Sequence, residues 1–330
     1  TEPRFIMLGL MLITAVFSMF MSNTATTVMM LALLGPIVAS APKGDMGIKA
    51  LVLCIPIAAN TGGIATPIGT PPNAIALQYL TGENSIDFLS WMMMGLPFVI
   101  IQLTIAWFLL QKFFPSKERN MVLKLDGQFR KSWRAIVVYV TFAATILLWM
   151  TTKLHGMNTY VVSIIPLAVF TLTGIMGKEE LKLINWDVLW LVAGGIAIGI
   201  GLDKTGLAVA LAHAIDYESL SPTAVVLTLS IVCWLMANFM SNTATANLLM
   251  PIAAAIGASM ESLVAIGGLQ GLLVVVAFSA SLGMILPVST PPNSLAYSTG
   301  LIESKDMAKM GIILGIVGLL MVYLALFIIT

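Results

Sequence analysis

Charged and metal-binding side chains are scarce in this chain of 330 residues. Only 9% of the residues are charged and the net charge is +1, whereas about a quarter of an average soluble domain is charged. Without a basic face to neutralise phosphates, no nucleic-acid partner is expected. Cys54 and Cys233 match no metal or redox spacing, and the two histidines are isolated. We therefore expect no transition-metal site.

Hydrophobic residues, in contrast, make up 59% of the chain and are arranged in long runs. Several runs reach the roughly 20 residues that a helix needs to cross a bilayer. This composition excludes a soluble protein and predicts an all-α polytopic membrane protein surrounded by lipid.

A short polar motif occurs twice inside these apolar runs. Residues 20–26 read F-M-S-N-T-A-T, and residues 239–245 read the same seven letters. At nearly the same distance after each copy, residues 69–73 read G-T-P-P-N and residues 289–293 read S-T-P-P-N. Self-similarity at a fixed offset indicates an internal duplication. Polar interruptions at matching places in two hydrophobic halves point to the binding site of a transporter.

The duplication divides the chain into three parts. We predict a first repeat over residues 1–113, a cytoplasmic linker over 114–134 and a second repeat over 135–330. More than 100 membrane-like residues precede the motif in the second repeat, but only 21 residues precede it in the first. The sequence therefore predicts that the first repeat lacks its leading helices and that the chain is a fragment of a longer transporter.

Positive charge predicts the orientation of the repeats. Seven of the sixteen Lys and Arg residues lie between Lys112 and Arg134, which places this linker in the cytoplasm. Counting spans outward from it, the first S-N-T is entered from inside and the second from outside. We therefore expect inverted-topology repeats, each with a re-entrant hairpin and a broken transmembrane helix.

The motifs contain the residue types that begin helices. Ser, Asn and Thr are good N-caps, and a Thr followed by Pro at the first helical position is a second start signal. Four helix N-termini, each worth about half a positive charge, would supply roughly +2 near mid-membrane. No Lys, Arg or His lies in either motif pair, so backbone amides, hydroxyls and Asn side chains would bind an anion. The carbonyl ends and motif oxygens suit Na⁺, which would offset a buried dianion.

A structural role for these polar residues is the alternative interpretation. Ser, Thr and Asn within membrane helices often connect one helix to another. The doubled occurrence of both motifs favours a binding site over this alternative.

The doubled S-N-T with the doubled T-P-P-N resembles the divalent anion/sodium symporter family, the INDY-type di- and tricarboxylate transporters. The likeness covers nearly the whole chain. In that family the first S-N-T lies at the tip of an inward-opening hairpin and the second at the tip of an outward-opening one. The resemblance implies a homodimer with a fixed scaffold and an elevator-like transport domain.

Residue roles also follow from the resemblance. The residues implied to bind sodium are Ser18, Ser22, Asn23, Gly69, Ala237, Asn242 and Ser289, with Ser18 contributing through its backbone. The residues implied to contact substrate carboxylates are Asn23, Thr24, Asn242 and Thr243, and those implied to line the same pocket are Thr70, Thr290 and Pro291.

The sequence thus predicts sodium-coupled symport of a small dianion, a C4-dicarboxylate such as succinate, across a bacterial-type plasma membrane. A sodium-independent dicarboxylate exchanger and a sodium/sulfate symporter are the alternatives, and a passive channel is a third. An intramembrane hydrolase is disfavoured, because no His or Asp accompanies Ser22 or Ser241 to act as a base. We expect no enzyme activity.

Overall fold

The computed structural model describes residues 2–40, 45–117, 129–184, 186–207, 210 and 220–329. Within these ranges the regular secondary structure is entirely helical, as the apolar runs predict. Six helices are long and apolar enough to cross a membrane. The expectation of an all-α polytopic membrane protein is confirmed.

Thirteen helices of eight residues or more carry the fold of the described residues. In the first half they are α1 Pro3–Phe20, α2 Asn23–Ser40, α3 Met46–Gly62, α4 Pro71–Tyr79 and α5 Phe88–Phe113. Between the two motif regions lie α6 Trp133–Met150, α7 Thr159–Leu172 and α8 Trp186–Lys204. The second half contains α9 Pro222–Phe239, α10 Asn242–Ser259, α11 Gly268–Ser281, α12 Pro291–Ser298 and α13 Ser304–Ile329. Shorter helical segments are Gly63–Ala65, Gly82–Asn84, Thr152–His155, Lys178–Lys182 and Glu261–Ile266.

One end of the molecule, here called the Lys49 end, is defined by an ion pair between the two halves. The Lys49 ammonium, near the start of α3, lies 2.7 Å from the Asp306 carboxylate and 3.2 Å from that of Glu303, at the start of α13. Ser116, just after α5, donates to Asp45 at 2.9 Å. The starts of α3 and α13 and the end of α5 therefore share this end.

The opposite end, here called the Asp87 end, contains the start of α5. Lys153 lies 3.0 Å from Asp87, which caps that helix through the Ser90 amide. A cavity here is lined both by residues around the start of α5 and by Gly267 and Ala325. The start of α11 and the end of α13 therefore lie at the Asp87 end, and α5 and α13 run antiparallel.

Helices α1 and α2 form a hairpin that opens at the Lys49 end. The α1 backbone near its start accepts a hydrogen bond from Trp107, close to the end of α5. Five residues separate α2 from α3, and such a segment reaches only about 20 Å. Helix α2 is about 27 Å long, so it must turn back along α1 to bring the chain to the start of α3.

Helices α9 and α10 form a second hairpin, which opens at the Asp87 end. Cys233 and Ala237 of α9 approach Val276 and Gly283 respectively. This order makes α9 parallel to α11, which starts at the Asp87 end. The two hairpins therefore open at opposite ends of the molecule.

Two helices are interrupted near their middle by stretches that contain glycine and proline. The first break separates α3 from α4 and the second separates α11 from α12. Helix α2 packs against α12, and α10 packs against α4. Each hairpin thus contacts the short helix of the other half, and this exchange brings both breaks and both hairpins into one region.

The three-part division into a first repeat, a linker and a second repeat stays a prediction. Helices α6, α7 and α8 precede the second hairpin, and no counterpart of them precedes the first within the described residues. Most of the predicted linker 114–134, namely 118–128, lies outside the described residues. The cytoplasmic placement of this linker stays a prediction.

Candidate functional site

The two S-N-T motifs begin helices in the same way. Ser22 Oγ accepts a hydrogen bond from the Ala25 amide at 3.1 Å, and Ser241 Oγ accepts one from the Ala244 amide at 3.1 Å. Each hydroxyl therefore caps the second helix of its hairpin. The Ser22 carbonyl also accepts from the Thr26 amide at 3.0 Å, so both oxygens of Ser22 are used in the first turn of α2.

The asparagine that ends each T-P-P-N motif holds the broken segment in place. Asn73 Nδ2 donates to the Thr66 carbonyl at 2.8 Å and faces two more carbonyls of the first break. Asn293 Nδ2 donates to the carbonyls of Met284 at 2.9 Å and Leu286 at 3.0 Å. Buried carbonyls at a helix break need donors, and these two side chains supply them. The sequence interpretation assigned no role to either residue, although the repeated Asn was the available signal.

A hydroxyl group also ties each break to its hairpin. Thr66 donates to the Met19 carbonyl in the first half, and Ser289 donates to the Asn238 carbonyl at 2.8 Å in the second. Both carbonyls lie in the last turn of the hairpin's first helix, where intrahelical partners are missing. These bonds position the hairpin tip directly over the break.

The Asn23 side chain lies inside a cluster of oxygen atoms. One end of its amide lies 3.2 Å from each of the Ala59 and Gly69 carbonyl oxygens and contacts the Ser18 hydroxyl. Ser18 Oγ also donates to the Ala59 carbonyl at 2.7 Å. An amide presents either oxygen or nitrogen at one position: nitrogen donates to the two carbonyls, and oxygen completes an all-oxygen cluster suited to a hard cation.

Two glycines make this cluster compact. A Cβ on Gly63 would lie 2.8 Å from both Asn23 Oδ1 and the Gly69 carbonyl oxygen. A Cβ on Gly69 would overlap the Gly63 carbonyl. Only glycine permits this approach, so Gly69 contributes its carbonyl and its small size. Ser18 differs from the expectation, because its hydroxyl and not its backbone enters the cluster.

The second hairpin tip has the same arrangement of helices as the first, but different polar groups surround it. Ala237 takes the place of Ser18, and the residue that pairs with Gly69 is Ser289. Asn242 Oδ1 is buried and has no hydrogen-bond partner within the described residues. A buried carbonyl oxygen without a donor is unfavourable, which makes it a candidate ligand atom for a cation.

The short helices α4 and α12 begin at Pro71 and Pro291, directly after Thr70 and Thr290, as predicted, but of the two threonine side chains only that of Thr290 caps its helix. Each begins with two prolines, which have no N–H group. The next amide, that of Asn73, bonds to the Thr70 carbonyl in the first half. The estimate of four anion-binding N-termini was therefore wrong, because the half-charge of a helix start comes from free N–H groups. Only α2 and α10 offer them.

A protein-family model described as "Citrate transporter" matches residues 1–270. The chain belongs to the citrate transporter family. The resemblance to di- and tricarboxylate transporters inferred from the motifs is confirmed.

Three relatives of this chain are described as sodium-dependent dicarboxylate transporters. The sodium-dependent dicarboxylate transporter SdcS of Staphylococcus saprophyticus is 30% identical over 99% of this chain and 69% of its own length. SdcS of Staphylococcus aureus strain RF122 is 29% identical over 98% of the chain and 68% of its length. The sodium-dependent high-affinity dicarboxylate transporter 3 of Caenorhabditis elegans is 27% identical over 94% and 65%. The chain thus spans about two thirds of the length of these relatives.

Membership in this family, with six candidate spans, identifies a multi-pass protein of the plasma membrane. The family and the relatives are transporters, in agreement with the expectation of a non-enzymatic function. Placement in a bacterial inner membrane stays a prediction.

The structure brings the predicted site residues of this family member into two groups, one at each hairpin tip. The first group contains the predicted residues Ser18, Ser22, Asn23, Thr24, Gly69 and Thr70. The second contains Ala237, Asn242, Thr243, Ser289, Thr290 and Pro291. Asn23, Thr24 and Asn242 are partly exposed, whereas Ser18, Thr70 and Thr290 are buried.

One side chain connects the two groups. Asn60, in the last turn of α3, donates to Thr290 Oγ at 3.1 Å and to Asn293 Oδ1 at 3.1 Å. Its neighbour Ala59 supplies a carbonyl to the first oxygen cluster. The sequence interpretation missed Asn60 because it lies outside both motifs and its counterpart in the second half is Ala280.

Proposed function

We propose that this family member is a secondary active transporter that couples inward movement of Na⁺ to uptake of a C4-dicarboxylate such as succinate. The observation that carries this proposal is the cluster of Ser18 Oγ, the Ala59 and Gly69 carbonyls and the Asn23 amide. Three oxygens surround one amide end without any nearby charge. The relatives described as sodium-dependent dicarboxylate transporters support the choice of ion and substrate class.

The Asn23 amide would respond to the ion. In the absence of Na⁺, its nitrogen at the inner position donates to the Ala59 and Gly69 carbonyls. With Na⁺ present, its oxygen would occupy that position and coordinate the ion, because a hard cation takes oxygen ligands. The amide nitrogen would then face the open side of the tip, where it is available as a donor to a carboxylate. Ion binding would thereby prepare the substrate site.

A second ion would bind near Asn242. The unpartnered Asn242 Oδ1 and the Ala237 backbone, which Gly283 closely approaches, are the candidate ligands. The Ser289 hydroxyl accepts from the Leu286 amide and donates to the Asn238 carbonyl. We assign Ser289 the task of holding the break in the geometry that this site needs.

The substrate would lie between the two tips. The first amides of α2 and α10 are free of intrahelical partners and would donate to its two carboxylates, together with the hydroxyls of Thr24 and Thr243. Thr70, Thr290 and Pro291 would line the same space. Two nearby sodium ions would balance the dianion, and without them the buried charge would be strongly unfavourable.

Alternating access would follow from the inverted repeats and re-entrant hairpins of the prediction. The opening of the two hairpins at opposite ends supports this arrangement. Helix α8 contacts the hairpin region through Gly195 and Gly199, which approach Asn247 and Tyr79 with no side chain between. Such a small-residue surface would let an elevator-type domain slide along a scaffold of α6, α7 and α8. In this proposal the scaffold forms a homodimer.

Uptake into proteoliposomes tests the proposal. We expect saturable, uphill uptake of radiolabelled succinate with an inward Na⁺ gradient and none with an equal K⁺ gradient. Uptake that requires internal succinate but no Na⁺ would identify an exchanger. Inhibition by sulfate but not by succinate analogues would identify a sulfate symporter, and equilibration without accumulation would identify a channel.

A further inference from the structure

We propose that Asn60 is a positioning residue that commits the Thr290 hydroxyl to donating a hydrogen bond to a substrate carboxylate. This inference rests on the proposed function, because it needs an anionic substrate next to Thr290. It goes beyond that function by stating that one carboxylate subsite can donate a hydrogen bond to the substrate but cannot accept one. Asn293, Asn60 and Thr290 form a chain of buried groups in which the orientation of each determines that of the next.

The first step fixes the orientation of Asn293. Its Nδ2 donates to two backbone carbonyls of the second break, those of Met284 and Leu286. A carbonyl only accepts hydrogen bonds, so the nitrogen must face them. Asn293 Oδ1 therefore points the other way, toward Asn60.

The second step fixes the orientation of Asn60. Asn293 Oδ1 can only accept, so the group of Asn60 that faces it at 3.1 Å must be Nδ2. The second hydrogen of the same nitrogen is directed at Thr290 Oγ, also at 3.1 Å. Asn60 is 2% exposed, which leaves little room for water to replace either partner.

The third step concerns the Thr290 hydroxyl. Its oxygen accepts from Asn60 Nδ2 and from the Asn293 amide at 3.2 Å. A hydroxyl oxygen has two lone pairs and one proton. Both lone pairs are used, and the proton has no acceptor in the part of the chain that the structure describes. The hydroxyl can therefore act toward a ligand only as a donor.

The first half lacks this chain of bonds. Ala280 takes the place of Asn60, and the oxygen of Asn73 that corresponds to Asn293 Oδ1 is buried without a partner. The Thr70 side chain does not cap its helix. Among the described residues no hydrogen bond fixes the Thr70 hydroxyl as donor or acceptor, whereas two bonds fix that of Thr290. The two ends of a symmetric dicarboxylate would meet subsites of different character.

The consequence is selectivity for an ionised carboxylate at the Thr290 end. A donor that cannot accept binds the charged oxygen of a carboxylate more strongly than the neutral carbonyl oxygen of an amide or a protonated carboxyl, and it cannot pair with the N–H or O–H of those groups. Without Asn60, one lone pair of Thr290 becomes available and the hydroxyl can rotate to accept. The preference for succinate over its monoamide should then decrease.

A double-mutant cycle on substrate affinity tests this inference. The variants are Asn60→Ala, Thr290→Val and the pair together, assayed by sodium-dependent succinate binding to the purified full chain. We expect Asn60→Ala to weaken binding about tenfold and Thr290→Val at least as much, in the range for hydrogen bonds to charged groups. The double variant should bind like Thr290→Val alone, because Asn60 acts through that hydroxyl. The preference for succinate over succinamate should fall severalfold in Asn60→Ala.

A matched control removes a different buried amide between the two halves. Gln102 is fully buried on α5 and donates to the Leu314 carbonyl of α13 at 2.7 Å, outside the site. Gln102→Leu should leave both succinate affinity and the succinamate preference within twofold of the parent. Fully additive effects of Asn60→Ala and Thr290→Val, or an unchanged preference for succinate in Asn60→Ala, would overturn the inference while leaving the transporter proposal intact. Absence of any succinate binding by the parent chain would overturn both.

Discussion

The two hairpin tips share a motif and a backbone frame but use their polar groups differently. At the first tip, the Asn23 amide is surrounded by the Ser18 hydroxyl and the carbonyls of Ala59 and Gly69. At the second, Asn242 Oδ1 has no partner in the described residues. There, Asn238 takes over the structural bonds, donating to the Trp234 carbonyl and accepting from the Ile285 amide at 2.8 Å.

This difference shows that an identical motif does not produce identical sites. The flanking residues decide which groups are tied into the protein and which stay available to a ligand. Met19 stands where the second half has Asn238, and Ala280 stands where the first half has Asn60. The first tip therefore has more oxygen atoms that could bind a cation. At the second tip, more side-chain hydrogen bonds hold the helix break in place.

The largest expected effects on transport come from replacing the asparagine of each S-N-T motif, Asn23 or Asn242. Asn23→Ala and Asn242→Ala should each reduce sodium-dependent uptake on the order of a hundredfold, since each removes a proposed ion ligand. Their ion-free stabilities should differ. Asn23→Ala also removes bonds to Ser18 and its neighbours and should cost about 1 kcal/mol, whereas Asn242→Ala removes no such bond. Melting curves in Na⁺-free buffer measure this difference, and equal losses in the two variants would contradict the comparison.

The next effect concerns one equivalent position in the two breaks, which is Gly69 in the first half and Ser289 in the second. Gly69→Ala should lower apparent sodium affinity tenfold or more, because the added methyl group would overlap the Gly63 carbonyl and close the first cluster. Ser289→Gly gives the second half the glycine of the first and should have a smaller effect, through loss of the bond to the Asn238 carbonyl. Uptake measured against Na⁺ concentration gives both values. A larger loss for Ser289→Gly would reverse the proposed roles.

A third variant makes the first tip resemble the second. Ser18→Ala removes the hydroxyl that bridges Asn23 and Ala59, as Ala237 does naturally in the other half. We expect apparent sodium affinity to fall about tenfold, the size typical for residues that orient metal ligands. Maximal uptake at saturating Na⁺ should be retained. Ser163→Ala, which alters an exposed hydroxyl on α7, serves as the control and should leave the sodium dependence unchanged.

The reciprocal variant should affect stability more than transport. Asn238→Met gives the second tip the residue of the first and leaves the Ile285 amide without its acceptor. An unsatisfied buried amide costs roughly 1–3 kcal/mol, and because the Ile285 bond is only partly buried the loss should lie at the lower end of that range, so the melting temperature should fall by a few degrees. Apparent sodium affinity should stay within twofold, and a tenfold change would make Asn238 a ligand and not a structural residue.

The smallest expected effect concerns the pH dependence of stability at the Asp87 end of the molecule. Burial raises the pKa of Asp87, but bonds from the Ser90 amide, Lys153 and the Ser90 hydroxyl outweigh it, so the folded pKa lies below its ordinary value. Its contribution to stability is therefore present above the unfolded pKa and is lost as pH falls through the folded pKa. Asp87→Asn should remove at most about 1 kcal/mol and flatten the acid limb of the stability profile. An unchanged acid limb would show that the bonds from Ser90 and Lys153 to the Asp87 carboxylate together contribute nothing to stability.

Short stretches of sequence allowed the membrane class and several helix starts to be predicted. The hydrophobic runs predicted the membrane class, and the Thr-Pro pairs predicted where α4 and α12 begin. Two misjudgements were also local and avoidable: the prolines at those helix starts remove the amides that an anion would need, and the repeated Asn73 and Asn293 signalled a structural role.

The sequence by itself determined the membrane class, the repeated motifs and the helix starts, because these follow from apolar runs, from matching letters and from the residues next to each helix start. Only the tertiary structure decided which polar groups meet. Ser18 reaches Ala59 across 41 positions and Asn60 reaches Thr290 across 230. No local preference encodes such pairs, since they exist only when each hairpin packs against the broken helix of its own half and the short helix of the other.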